Sequence, residues 1–153
     1  MSFRLSTEAR SYYRQINEKS TTGQFDNLWD QYYLSAMAGI KDRSRVVEDD
    51  EPGEEFITDV IQAYDDQKYE IYSSLIVAEI DREGIPWDEK QEIQDMMLKI
   101  LDSSSHTRLS SYGTTVLNCY AEKGFRLIRS DITAPPELDE FLEQYHSFLQ
   151  DLD

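Results

Sequence analysis

Apolar positions along the chain recur at helical rather than strand spacing. Ala9, Tyr12, Tyr13 and Ile16 fall three and four apart, which predicts a first helix over Thr7 to Lys19 capped by Ser6 or Thr7. After a polar break from Ser20 to Gln24, Phe25, Leu28, Trp29, Tyr32, Ala36, Met37 and Ile40 follow the i, i+3, i+4, i+7 pattern of a central packing helix. The pattern is helical again from Glu54 to Arg82, where Phe56, Val60, Ile61, Tyr64, Ile71, Tyr72, Leu75, Ile76 and Ile80 share a broad face. Between Tyr64 and Tyr69 it allows either a kink or a break into two helices. Gly84-Ile85-Pro86 ends that element. Asp88 with Gln91 has capping-box spacing, and Ile93, Met96, Met97, Ile100 and Leu101 make the next stripe.

Leu109, Tyr112, Val116, Leu117 and Tyr120 are helically spaced, and Gly124 falls where a helix-terminating glycine belongs. A short extended segment is therefore expected over Phe125 to Ile128. Pro135 and Pro136 suit the first turn of a last helix, whose face is Leu138, Phe141, Leu142, Tyr145, Phe148, Leu149 and Leu152. No internal repeat or low-complexity linker interrupts the chain. The expected fold is all-α: one domain over residues 1–153, of five to seven amphipathic helices, with an acidic surface loop at about 41–53.

Composition agrees with a folded domain. The 153 residues are 39% hydrophobic, with ten tyrosines, six phenylalanines and two tryptophans to supply buried area. A single cysteine excludes an internal disulfide, which makes a reducing cytoplasm the default. The first residues lack the apolar core of a signal peptide, and no run approaches the roughly 20 apolar residues of a membrane span.

Charge changes the picture more. The net charge is −16, from 31 acids and 15 bases, which repels nucleic acid and anionic membranes at long range. An acidic surface with nine arginines against six lysines also fits a salt-adapted organism. The bases are segregated. Residues 1–46 hold seven bases and five acids, and residues 105–129 hold four bases and one acid. Residues 47–104 hold four bases against eighteen acids, and residues 130–153 hold seven acids and no base. Arg4, Arg10, Arg14, Lys19, Lys41, Arg43 and Arg45 could thus join Arg108, Lys123, Arg126 and Arg129 in one basic face for phosphates or an acidic partner. The competing reading is that these bases neutralise the protein's own acidic helices in ordinary surface pairs.

No catalytic or metal motif stands out. Glu143 and His146 form one Glu-x-x-His, but a di-iron bundle needs two plus further glutamates. One cysteine and two histidines cannot supply a zinc site, and no phosphate loop or nucleophile elbow is present, so no cofactor is expected. An enzyme would need His106, Cys119, Tyr112 and an acid to converge, whereas a mid-helix cysteine among apolar neighbours is more commonly packing.

Phe3-Arg4-Leu5-Ser6-Thr7-Glu8-Ala9 opening a helix, Thr22-Gly23 before a second hydrophobic helix, and Gly53-Glu54-Glu55-Phe56 followed by Tyr64-Asp65 resemble the DndE family, small helical proteins encoded with DNA phosphorothioation systems. The likeness covers about residues 3–66. It departs at Gln24-Phe25-Asp26-Asn27, where a hydrophobic-Thr-Pro-Asn turn is expected, and it has no counterpart beyond about Gly84. It implies a non-catalytic accessory subunit of a DNA-modification or antiviral defence complex. The expected partners are protein subunits of that complex and, through the basic face, DNA. The alternative is a self-assembling helical module, a homo-oligomer with tyrosines and methionines at its interface and no nucleic-acid role.

Overall fold

The computed structural model describes residues 2–133 and 137–152. The all-α expectation holds: six α-helices and one two-stranded ribbon are present among the described residues. Strand β1 (Phe3–Arg4) leads into α1 (Thr7–Lys19), then α2 (Leu28–Asp42), β2 (Glu55–Ile57), α3 (Lys68–Arg82), α4 (Lys90–Ile100), α5 (Ser111–Asp131) and α6 (Leu138–Asp151). Sequence capping rules account for three helix starts. The side chains of Ser6, Asn27 and Ser110 accept from Ala9, Asp30 and Gly113 amides.

Helices α2 and α5 form the centre. They cross at Gly39 and Gly124 with their backbones almost touching: a Cβ added at Gly124 would meet the Ser35 carbonyl and lie 2.7 Å from the Gly39 amide nitrogen. A Cβ at Gly39 would meet the Tyr120 carbonyl. Gly124 is therefore a contact residue within a helix, not a helix stop, and the expected extended segment at Phe125 to Ile128 is instead the last turns of the 21-residue α5. Periodicity around Gly124 is compatible with both outcomes. The partner helix selects the continuous one, because stopping there would leave Phe125 and Ile128, both fully buried, without their places in the core.

Around this crossing the aromatic residues form two sets. Tyr12 and Tyr13 of α1, Phe125 of α5 and Phe141 of α6 meet largely edge to face at 5.7 to 6.4 Å. Phe3, Trp29 and Tyr32 meet at 4.8 to 5.7 Å, and Phe56 closes over Trp29 and Tyr32.

Residues 54–67 correct the expected long helix. They hold β2, an extended stretch and a 3-10 turn at Gln62–Tyr64, with α3 starting only at Lys68. The reason is long-range: Phe3 pairs with Ile57 and Arg4 with Glu55 in an antiparallel ribbon, and Leu5 donates to the Glu54 carbonyl at 3.1 Å. The proposed capping box at Asp88 is also absent. Asp88 lies in a turn, and α4 begins at Lys90 with no side-chain cap. Gly84 ends α3 as expected, at φ +70°. The expected place of Pro135 and Pro136 in the last helix's first turn lies outside the described residues; α6 is described from Leu138. Its start is tied to the loop after α1: the Glu137 carboxylate accepts from the Thr21 and Thr22 amides at 2.8 and 3.1 Å, and Leu138 donates to Ser20.

An exposed helical glycine gains about 1 kcal/mol when replaced by alanine. Gly124→Ala and Gly39→Ala should do the opposite and destabilise by about 3 kcal/mol, because the added methyl forces α2 and α5 apart. Gly53→Ala, with nothing within 4 Å, should be near neutral. Urea unfolding of the three variants checks this, and equal stability in all three would remove the crossing from its central place.

Candidate interaction site

The basic residues separate into distinct neighbourhoods. Arg4 pairs with Glu51 and Glu55 at 3.3 and 3.6 Å. Arg10 donates to the carbonyls of Leu5, Glu54 and Glu55 at 3.0 to 3.1 Å. Arg43, in a left-handed conformation at the end of α2, pairs with Asp81 at 3.0 Å. Arg45 is bound to Glu79. These four staple the N-terminal third to β2, to the loop before it and to α3. Arg14 and Lys19 are exposed on α1, and Lys41 on α2, without an ion pair among the described residues. On the C-terminal half of α5, Lys123, Arg126 and Arg129 follow at three-residue spacing, where cations also complement the helix dipole. Arg126 pairs with Glu122 at 2.8 Å, and Arg129 lies over the Phe125 ring at 4.9 Å.

Two buried polar knots flank the helix crossing. In one, the fully buried Glu79 carboxylate accepts from Arg45 at 3.1 and 3.3 Å, from Arg82 at 2.8 Å and from the Tyr120 hydroxyl at 2.6 Å. Burial alone would raise the Glu79 carboxyl; the donors from Arg82, Tyr120 and Arg45 outweigh it and hold the group below its ordinary value. Burial and the bond to Glu79 push the Tyr120 hydroxyl up. Neither Glu79 nor Tyr120 stood out in the sequence as polar machinery. The available signal was a glutamate beside Ile80 on an otherwise apolar helix face, followed by an arginine three residues on. In the second knot, the buried Asn118 side chain accepts from the Arg4 amide and the Tyr32 hydroxyl and donates to Ser2 and Glu51. All its hydrogen-bonding capacity is used.

The residues an enzyme would need do not share partners. Cys119 is fully buried with its Sγ 3.7 Å from the Val47 carbonyl, and burial pushes its thiol up to about 12, so it is a protonated packing group at neutral pH. His106 is exposed, with Nε2 at 2.7 Å from Asp59 and 3.3 Å from the Thr58 carbonyl. Tyr112 lies under the Lys99 ammonium at 4.2 Å. No group of three His, Cys, Asp or Glu among the described residues is placed to hold a metal ion.

What remains open to a ligand is apolar. Helix α4 buries only Met96 and Ile100, and its Met97 and Leu98 are 42% and 69% exposed. Three consecutive apolar residues on a helix cannot all face one core, so Met96-Met97-Leu98 was the sequence signal for this edge. Trp87, in the α3–α4 turn, is 55% exposed and held by an indole bond to Asp81 at 3.1 Å. Between α3 and α4 lies a cleft of about 320 Å³ lined by Tyr69, Tyr72, Ile76, Met97, Leu101 and Arg108. A second furrow, of about 340 Å³, runs between α2, α3 and the end of α6, where Met37, Val77 and Leu149 meet Lys41 and Arg43.

Fold and site together define a helical domain with buried ionic staples and an apolar hairpin edge. No family model, curated protein or solved structure matches the chain. No helix of the described residues is long and apolar enough to cross a membrane.

The Glu79 knot sets a pH expectation. Its carboxyl is held below the ordinary 4.5, so the stability it adds is fully present above that value and is lost as pH falls through the depressed one. Glu79→Gln leaves two guanidinium groups without their carboxylate and should cost about 3 kcal/mol at neutral pH. The deficit should narrow on acidification below the ordinary carboxylate value, as wild-type Glu79 protonates. Denaturant unfolding of both proteins across pH measures this; a pH-independent difference would contradict it.

Proposed function

We propose that this protein is a non-catalytic accessory subunit that acts by binding another protein through the α3–α4 edge. The observation that carries this reading is that four of the six large apolar side chains exposed among the described residues, Tyr69, Trp87, Met97 and Leu98, lie on α3, α4 and the turn between them. Methionine and aromatic side chains are the types that anchor protein interfaces. The sequestered thiol and the separately engaged histidine support a binding role over catalysis. The likeness of residues 3–66 to the DndE family supports placing the complex in DNA modification or antiviral defence.

A DNA contact has its own support in the α5 stripe of Lys123, Arg126 and Arg129. Arg10 is not the residue with which to test it, because its guanidinium ties backbone carbonyls. Arg14 and Arg129 are exposed and free of ion pairs among the described residues.

Trp87→Ser with Leu98→Glu, in the full chain expressed in its native host, should reduce recovery of the partner at least tenfold while leaving the fold intact by circular dichroism. Undiminished recovery would overturn the protein-binding reading. Duplex and single-stranded DNA titrations across salt, with Arg14→Glu plus Arg129→Glu, test the DNA contact separately. Sedimentation at micromolar concentration should give a monomer; a dimer abolished by Leu98→Glu would assign the same edge to self-assembly.

A further inference from the structure

The nine arginines differ in how their charge is met. Arg4, Arg43, Arg45, Arg82 and Arg126 each have a carboxylate. Arg10, Arg14, Arg108 and Arg129 have none among the described residues, and of these Arg108 is the one that lines a cleft. Among the described residues it is also one of two non-glycine residues with positive φ, at 71°, a conformation that costs energy for a side chain of this size. Its Nη1 donates to the carbonyls of Ser103 and Ser105, which fixes the guanidinium across the loop. Its Nε and Nη2 have no acceptor among the described residues. The nearby Asp102 carboxylate accepts two hydrogen bonds from Ser104 at Oδ1 and makes no ion pair with Arg108 among the described residues.

This guanidinium lines the α3–α4 cleft, whose other walls are largely apolar, from Tyr72, Ile76, Met97 and Leu101 among others, with Ser73 and Ser103 adding polar atoms. Lys68, paired with Asp65 at 2.8 Å, lies over the Tyr69 ring and adds a second cation at the rim. A largely apolar slot of about 320 Å³ with one oriented cation in its wall is a site for a mostly apolar body and a single planar anionic head. A carboxylate matches the two free guanidinium donors better than a point anion does.

We infer that the α3–α4 cleft binds a small amphipathic carboxylate, an aryl-alkyl or medium-chain alkyl acid, with its apolar body between Tyr72, Ile76, Met97 and Leu101 and its head on Arg108. The ionic contact holds the ligand in one direction, and burial of the tail supplies most of the affinity. The cleft shares Tyr69 and Met97 with the edge proposed above for a protein partner, whereas Trp87 and Leu98 of that edge and Arg108 of the cleft belong to one site only.

The test titrates 4-phenylbutyrate into the isotopically labelled full chain and follows backbone amides by NMR, with 4-phenylbutan-1-ol as the neutral match. The acid should bind with a Kd of about 1 mM or tighter. It should shift Ile76, Met97, Leu101 and Arg108, and bind at least tenfold tighter than the alcohol, with the difference shrinking in high salt. Arg108→Gln should erase the preference for the acid, and Arg108→Lys should retain part of it. Equal binding of acid and alcohol, shifts that map outside the cleft, or no saturable shift would each overturn the inference. The acid–alcohol comparison on the wild type stands even if the Arg108 variants misfold. Loss of this binding with the partner intact, or the reverse, separates it from the protein-interaction reading.

Discussion

The backbone contact between α2 and α5 is the constraint on which the rest depends. Glycine at positions 39 and 124 lets two helices approach until the Ser35 carbonyl lies against Gly124 and the Tyr120 carbonyl against Gly39. At that spacing Ser35, Tyr120 and Phe125 have fixed surroundings: the Ser35 hydroxyl meets Tyr13 of α1 at 2.7 Å, and Phe125 meets the rings of Tyr12 and Tyr13. The next residues of α5 then reach the segment after α2. The Cys119 carbonyl accepts from Val46, and Tyr120 and Asn118 reach into the two polar knots.

Those knots explain how a chain of charge −16 tolerates its own segregation. Arg45 brings a base from the N-terminal third to Glu79 in the acidic segment, and Arg4 does the same with Glu51 and Glu55. Buried ionic groups of this kind are poor sources of net stability but costly to break, so they select one arrangement of loop, strand and helix. Much of the basic character of residues 1–46 is thereby spent inside the molecule. Arg14, Lys19 and Lys41 of that segment stay exposed without an ion pair among the described residues, and the largely apolar cleft between α3 and α4 has Arg108 as its oriented charge.

The helices were legible in the sequence wherever a single apolar face met a single core. The bounds of α1 and the burial of Trp29, Tyr32, Ala36 and Ile40 on α2 follow from spacing and capping alone. The candidate site was less legible. Met97, expected on the apolar stripe of its helix, is exposed beside Leu98, and the slot there needs Tyr69 and Tyr72 from another helix and a left-handed arginine from a third segment. No local pattern encodes that meeting.

By itself, the sequence determined the helical class, most of the helix positions, the packing role of Cys119 and the uneven placement of charge. Each of these depends on neighbours within a few residues. The tertiary structure decided the cases where two local outcomes were nearly equal. Residues 54–67 became a ribbon and loop because the backbone of β1 offered partners some fifty residues away. Helix α5 runs through Gly124 because α2 supplies a surface that only a residue without a side chain can meet. In both cases the deciding free energy comes from a contact between segments distant in sequence, which local periodicity does not contain.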